Sequence, residues 1–292
     1  MVTTMVKNMV HAYRPDTIVQ ALDNLASGDV AIFAGGTDIM VGDKPRCRSF
    51  NGEPSAMLFI DAINELKQFR ETHESLFVGA GLSLTEIETN KRVPKILRDS
   101  ILQVAAPGVR NCATMGGNIC NASPAADTLP ILYLLDTHVV VNSVSGEIVF
   151  PIEQFITGPG TTHLTPCDLL TQVKIPKMEF THTSYTKVGT RCANALTKLS
   201  MVGAANVREG VFTDWRVAFG AVGPTVVRHR EIESLIIGKP VSWLSNESNI
   251  NTIIAAYRDK LSPLSDQRST AAYRLRTSIK LLEKWLNELK DL

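Results

Sequence analysis

The chain has 292 residues, 44% of them hydrophobic, with thirty basic side chains against twenty-nine acidic ones and a formal charge of +1. A length close to the ~250 to 300 residues at which single cores stop growing predicts about two domains. Charge this balanced, with no long run of either sign, lacks the basic footprint that grips phosphate backbones, so nucleic acid is not expected as a partner.

No stretch approaches the ~20 apolar residues that span a bilayer. The first segment, "MVTTMVKNMVHAYRPDT", interrupts its apolar residues with lysine, asparagine and histidine. The expectation is a soluble, cytoplasmic protein without a membrane segment. The cysteines, Cys47, Cys112, Cys120, Cys167 and Cys192, are five in number and never paired as C-x-x-C. Reduced thiols are expected, not a disulfide framework or a zinc ribbon.

In chain order, Ile18, Ala21, Leu22 and Leu25 recur at helical spacing, and "DVAIFAGG" follows as a short apolar strand ending in a glycine pair. "AMLFIDA" and "SLFVGAG" are two further strands, and Ser83 with Glu86 forms a capping box for the next helix. "ILQVAAPGVRNCATMGG" is helix-like but broken at Pro107 and Gly108, which leaves the second glycine pair in an irregular segment. "LPILYLLDTHVVVNSVSGEIVFPIEQF" predicts a short helix and then a hairpin around Ser145 and Gly146. A polar connection at 176–184, "PKMEFTHTS", marks a domain boundary, and strands resume at "LSMVGAANV" and "WRVAFGAVG". The tail places Leu275, Ile279, Leu282 and Leu286 on one stripe of an amphipathic helix.

The glycine pairs carry the chemistry. Glycine takes positive φ and lets a ligand approach the main chain, whose N–H groups then form an anion-binding concavity. Thr37 and Thr114 add hydroxyls, and Asn118 and Asp127 can bond a ribose or a phosphate oxygen or hold the loop itself. Two such cradles suit a diphosphate approached from two sides. Each pair can equally be a tight turn and nothing more. Neither segment fits G-x-G-x-x-G or G-x-x-x-x-G-K-[ST], so the two usual nucleotide folds lose support.

"AGGTD" at 34–38 and "ATMGGN" at 113–118, continued by "ASPAAD" to Asp127, together resemble the FAD-binding signatures of the flavin (medium) subunits of molybdenum hydroxylases, the xanthine dehydrogenase and carbon monoxide dehydrogenase family. The resemblance continues through "FITGPG" at 155–160, "DLLTQVKIP" at 168–176, "YTKVGTR" at 185–191 and "YRLR" at 273–276. It implies an α+β fold: a two-lobed FAD-binding domain of the vanillyl-alcohol-oxidase (PCMH) type over residues 1–178, then a smaller carboxy-terminal α+β domain over 179–292.

Carried over by position, the resemblance implies that Ile32, Phe33, Ala34, Gly35, Gly36, Thr37, Asp38 and Ile39 wrap the FAD diphosphate through main-chain N–H groups. Ala113, Thr114, Met115, Gly116, Gly117 and Asn118 belong to the second FAD signature, with Thr114, Gly117 and Asn118 as the second pyrophosphate wall. Asp127 falls at a polar flavin or ribose contact, the Leu170 backbone meets the isoalloxazine, and Lys187 stands near the flavin's polar edge. A cation there favours an anionic reduced flavin. Met115 replaces a usual isoleucine or valine, Val104 stands where some relatives carry an aromatic, and 42–56 differs from the usual basic linker.

FAD is the one cofactor implied: four cysteines for an iron–sulfur cluster are missing, and His73, His138, His163 and His182 have no metal-ligand spacing. The implied role is electron transfer, from a molybdenum-cofactor large subunit by way of a [2Fe–2S] small subunit, through FAD to NAD+ or another acceptor. The purine or N-heterocycle substrate would be held by a different chain, and no residue here is expected to act on it. The alternatives are a stand-alone FAD-dependent oxidoreductase, similar to an enolpyruvyl-UDP-sugar reductase, and a non-catalytic scaffold.

Overall fold

Thr17 accepts the Gln20 N–H and so starts α1 (Ile18–Ala26), which buries Ala21, Leu22 and Leu25 as its spacing predicts. The computed structural model describes residues 11–41 and 54–292, so Cys47 and most of the divergent 42–56 segment lie outside the described residues. The core around α1 joins it to a three-stranded parallel sheet in the order β1 (His11–Tyr13), β3 (Ala56–Phe59), β2 (Val30–Phe33). "DVAIF" is therefore a strand, and it delivers the chain directly into the first glycine pair.

The second sheet is five-stranded and antiparallel. It runs β4 (Phe69–Glu71), β5 (Ser75–Gly79), β10 (Leu169–Pro176), β6 (His138–Ser143), β7 (Gly146–Pro151). The predicted hairpin joins β6 to β7, with Gly146 at φ 125°. A small ribbon of β8 (Ile156–Gly158) and β9 (Thr161–Thr162) follows the short helix α7 (Ile152–Phe155).

Helices α2 (Leu84–Thr89), α3 (Lys95–Leu102), α5 (Met115–Asn121) and α6 (Leu129–Leu134) contribute to the core of this sheet, while α4 (Pro107–Cys112) buries none of its residues. Both halves of the Ser83–Glu86 capping box are present at α2. Two sequence expectations change here. Pro107 opens α4 at its first turn, where a missing N–H costs nothing, and does not break a longer helix. The second glycine pair lies within the first turn of α5 and not in irregular chain, because Thr114 caps that turn.

The third sheet is β11 (His182–Val188), β12 (Leu199–Arg208), β13 (Val211–Gly220), β14 (Val227–Arg228). β11 begins inside the segment expected to be a polar connection; an edge strand that is largely half-buried carries no clear apolar alternation. β12 and β13 are buried on both faces. Val202, Ala204 and Ala218 join the core of the five-stranded sheet, while Leu199, Met201, Trp215, Val217 and Phe219 pack with the helices of the other face. Those helices are α8 (Arg230–Glu233), α9 (Glu247–Lys260) and α10 (Ala271–Lys290). α10 buries Ile279, Leu282 and Leu286 as expected and adds Trp285, which fits because Gly203 has no side chain: a Cβ there would come within 2.6 Å of the indole. The sequence reading did not register α9, whose buried residues are only Ile250, Ile253 and Tyr257.

The sheets are also tied by charge. Asp136, just after α6, takes ion pairs from Arg216 at 2.5 Å, Arg228 at 2.8 Å and Arg230 at 2.7 Å. Burial alone would raise the Asp136 pKa, but the attraction of Arg228 and the bonds and field of Arg230 and Arg216 outweigh it and hold the carboxyl below its usual range. A depressed carboxylate contributes stability above its unfolded pKa of about 3.9, and that contribution is lost as the pH falls through the folded value. The stability gap between wild type and Asp136→Asn should therefore be constant from pH 7 to about 5 and shrink toward pH 3, as urea midpoints would record.

Candidate cofactor-binding site

At the end of β2 the chain turns through Ala34, Gly35 and Gly36. Only Gly36 of the two pairs has positive φ, at +68°, and a Cβ there would also collide with the Phe33 ring, which leans on Phe59 with centroids 4.9 Å apart. Gly35 is required for a different reason. A Cβ there would overlap the Cys112 carbonyl oxygen and reach within 2.6 Å of its carbon and 3.0 Å of the Ala113 Cα. The two glycine segments, distant in sequence, are therefore in backbone contact.

Beyond this contact the first loop presents donors. Among the described residues, the backbone N–H groups of Gly35, Gly36, Thr37, Asp38 and Ile39 find no hydrogen-bond acceptor, while the Gly36 and Asp38 carbonyls accept from Met40 and Val41. A run of unpaired main-chain donors around a positive-φ glycine is an anion-binding nest. Ile32 and Phe33 complete β2 behind it.

The second segment is arranged differently. The Met115 N–H donates to Leu82 at 3.1 Å and the Gly116 N–H to Ala80 at 2.8 Å. The Gly117 N–H donates to the Thr114 hydroxyl oxygen at 3.0 Å. Its main chain is thus already used, and the pyrophosphate wall expected from Gly117 is not a row of free N–H groups. What remains is the Thr114 hydroxyl proton, the exposed Gly117 α-carbon, and Asn118, whose Oδ1 accepts from Thr128 and whose amide N–H groups are otherwise unused. The Ala113 carbonyl accepts from the Leu84 N–H, and Met115 is fully buried in the core.

A cleft of about 220 Å³ opens along this seam, lined by Ala34, Gly35, Asp61, Ser83, Cys112 and Thr114 among others. Sequence reading did not place Asp61 and Ser83 at the cleft. Asp61 is fastened by Arg14 at 3.1 and 2.6 Å, and that bond holds its carboxyl below the usual range.

Asp127, Leu170 and Lys187 do not line this cleft. Lys187 donates to Asp127 Oδ2 at 2.7 Å and to the Gln103 carbonyl at 2.7 Å, and Thr197 donates to Asp127 Oδ1 at 2.5 Å. Lys187 and Asp127 are 7% and 8% exposed at the side chain, so the pair is buried. Burial pushes the Asp127 carboxyl up, against the opposing pull of Lys187. Leu170 is buried in β10 beside a register shift between Leu170 and Gln172. The shift bends the strand locally. The pair connects to the second glycine helix through Thr128, which follows Asp127 and donates to Asn118.

None of the four described cysteines forms a disulfide, and no helix among the described residues is long and apolar enough to cross a membrane. The unpaired donors of 35–39 and the unused donor groups of the Thr114 and Asn118 side chains fit a dinucleotide diphosphate entering between the two segments.

Residues 8–178 match the family described as the FAD binding domain in molybdopterin dehydrogenase, and residues 184–289 match the CO dehydrogenase flavoprotein C-terminal domain. The glyceraldehyde dehydrogenase medium chain of Sulfolobus acidocaldarius is 28% identical over 275 residues, 92% of this chain and 94% of that protein. A putative xanthine dehydrogenase FAD-binding subunit of Escherichia coli is 25% identical over 284 residues, covering 94% of each. The fold matches a solved chain of carbon monoxide dehydrogenase from Oligotropha carboxidovorans at a TM-score of 0.86, with 20% identity over 98% of this chain and 99% of that one. The chain therefore belongs to the FAD-binding flavoprotein subunits of the molybdenum hydroxylases, FAD-dependent oxidoreductases of the xanthine, aldehyde and carbon monoxide dehydrogenase type.

Proposed function

We propose that this chain is the electron-transfer subunit of a xanthine dehydrogenase-like complex, receiving electrons from the [2Fe–2S] clusters of a small partner subunit and passing them through FAD to NAD+. A molybdenum-cofactor large subunit would oxidise the organic substrate, a purine or another N-heterocycle. The carrying observation is the seam itself: Gly35 packed on Cys112 and Ala113, with unpaired N–H groups on one side and Thr114 and Asn118 on the other. Relatives named as a xanthine dehydrogenase FAD-binding subunit and a caffeine dehydrogenase subunit favour the purine class. The carboxy-terminal domain match supports this reading over a stand-alone reductase.

In this reading the N–H groups of 35–39 bind the diphosphate, and Thr114 and Asn118 close its other side. The Leu170 main chain and Lys187 lie toward the flavin ring, where a held ammonium stabilises negative charge. When bound, FAD supplies single-electron acceptance together with hydride release. The domain division at 178/179 is proposed on the same grounds.

The first test is the visible spectrum of the purified chain and the identity of the cofactor released on heating; a colourless protein that refuses added FAD would sink the proposal. Gly117→Val sharpens it. A Cβ at 117 meets the Thr114 hydroxyl, the oxygen that caps α5, at 2.9 Å and the Ala34 Cβ at 3.9 Å, so the cap must yield while the gap between the segments narrows. FAD should bind at least about tenfold more weakly, with a stability loss of no more than about 1 kcal/mol, that of a weakened helix cap. Full occupancy in this variant would remove the diphosphate from the seam.

A further inference from the structure

The segment between β11 and β12, residues 189–198, is an exposed loop that leaves and re-enters the sheet at one point. Its base is closed by the Lys198 N–H donating to the Val188 carbonyl at 2.8 Å. Within it, Arg191 donates to the Asn194 carbonyl, at 2.9 Å from Nε, and Asn194 adopts φ +49°. The residues at its two feet are Lys187 and Thr197. Both reach the same carboxylate, Asp127, which belongs to a distant part of the chain: Lys187 at Oδ2 and Thr197 at Oδ1. Thr197 is 2% exposed and Asp127 7%, so these bonds are sheltered from water.

We propose that Asp127 is a positioning residue that works through this two-handed grip, and that Thr197 is its necessary second hand. One carboxylate oxygen fixes the Lys187 ammonium, which the Gln103 carbonyl holds from the other side. The other oxygen pins the returning strand. Together they clamp the loop base against the amino-terminal half of the chain and hold Lys187 in one position. With one donor on each oxygen, Asp127 sets the position of Lys187 and of the loop, and the remaining lone pairs leave room for a further contact. The inference rests on the FAD reading for its functional consequence but not for the clamp itself.

Amide hydrogen exchange at Lys198 in the purified protein tests the clamp. A hydrogen bond to a charged group in a sheltered site is worth about tenfold or more in a local opening equilibrium. Asp127→Asn and Thr197→Val should each lower protection at Lys198 about tenfold, with β13 amides unchanged, and Thr197→Ser should restore it. FAD affinity, titrated in parallel, should weaken by similar factors in the first two variants and recover in the third. Unchanged protection in Thr197→Val overturns the proposal, as does weakened FAD binding in Asp127→Asn with none in Thr197→Val, which would show that the second hand is not needed. A wild-type protein that binds no FAD would remove the functional reading alone, and the exchange data would still decide whether the clamp exists.

Discussion

Asp136→Asn should lower the unfolding free energy by about 2 kcal/mol, because it removes the shared carboxylate of a partly buried network and leaves its arginines only partly compensated. Arg228, only 4% exposed, would keep Glu233, and Arg216, 14% exposed, would keep Asp214, but each would then face an amide where a charge had been. Asparagine is the informative replacement, since Asp136 sits at φ +51° and asparagine tolerates that region where alanine does not. Urea denaturation at pH 7 measures the loss. A change under about 0.5 kcal/mol, the usual scatter of surface substitutions, would mean the network is solvated and contributes little.

Gly35→Ala is the second large effect. Its methyl group would overlap backbone atoms of Cys112 and Ala113, which no rotamer change can relieve, so the loop or α4 must shift. Overpacking of this kind costs about 1 to 3 kcal/mol. The displacement opens the seam, so the variant should also emerge from purification without FAD. Gly28→Ala is the matched control: nothing lies within 4 Å of its Cβ. That change should be neutral or stabilise by up to about 1 kcal/mol through the unfolded chain. Retention of FAD by Gly35→Ala would show that the two segments need not touch for the cofactor to bind.

What could be read from the sequence was local. The Ser83–Glu86 box, the stripe of α10 and the glycine turn after β2 each depend on residues a few positions apart, and each was recognisable. The 113–118 segment reads as irregular because two glycines argue against a helix, and the Thr114 cap that overrides them is one hydroxyl. The joint meaning of the two glycine segments came from family resemblance, since spacing alone does not bring Gly35 to Cys112. The bonds that organise the rest join residues 60 to 94 positions apart, such as Asp127 with Lys187 and Asp136 with Arg230. No periodicity announces such partners, and a lysine in a strand pattern looks solvent-facing until its carboxylate is found.

The double burial of β12 and β13 bears on how the molecule comes apart. Val202, Ala204 and Ala218 lie in the same core as Leu132 and Val139, so the two halves matched by separate family descriptions share one interior. A chain cut between residues 178 and 184 would leave each fragment with an apolar face and no cover, prone to self-association. Heat should then melt both halves in one cooperative step, and an evolutionary exchange of the carboxy-terminal half for that of a relative would have to carry the matching surface of α6 with it.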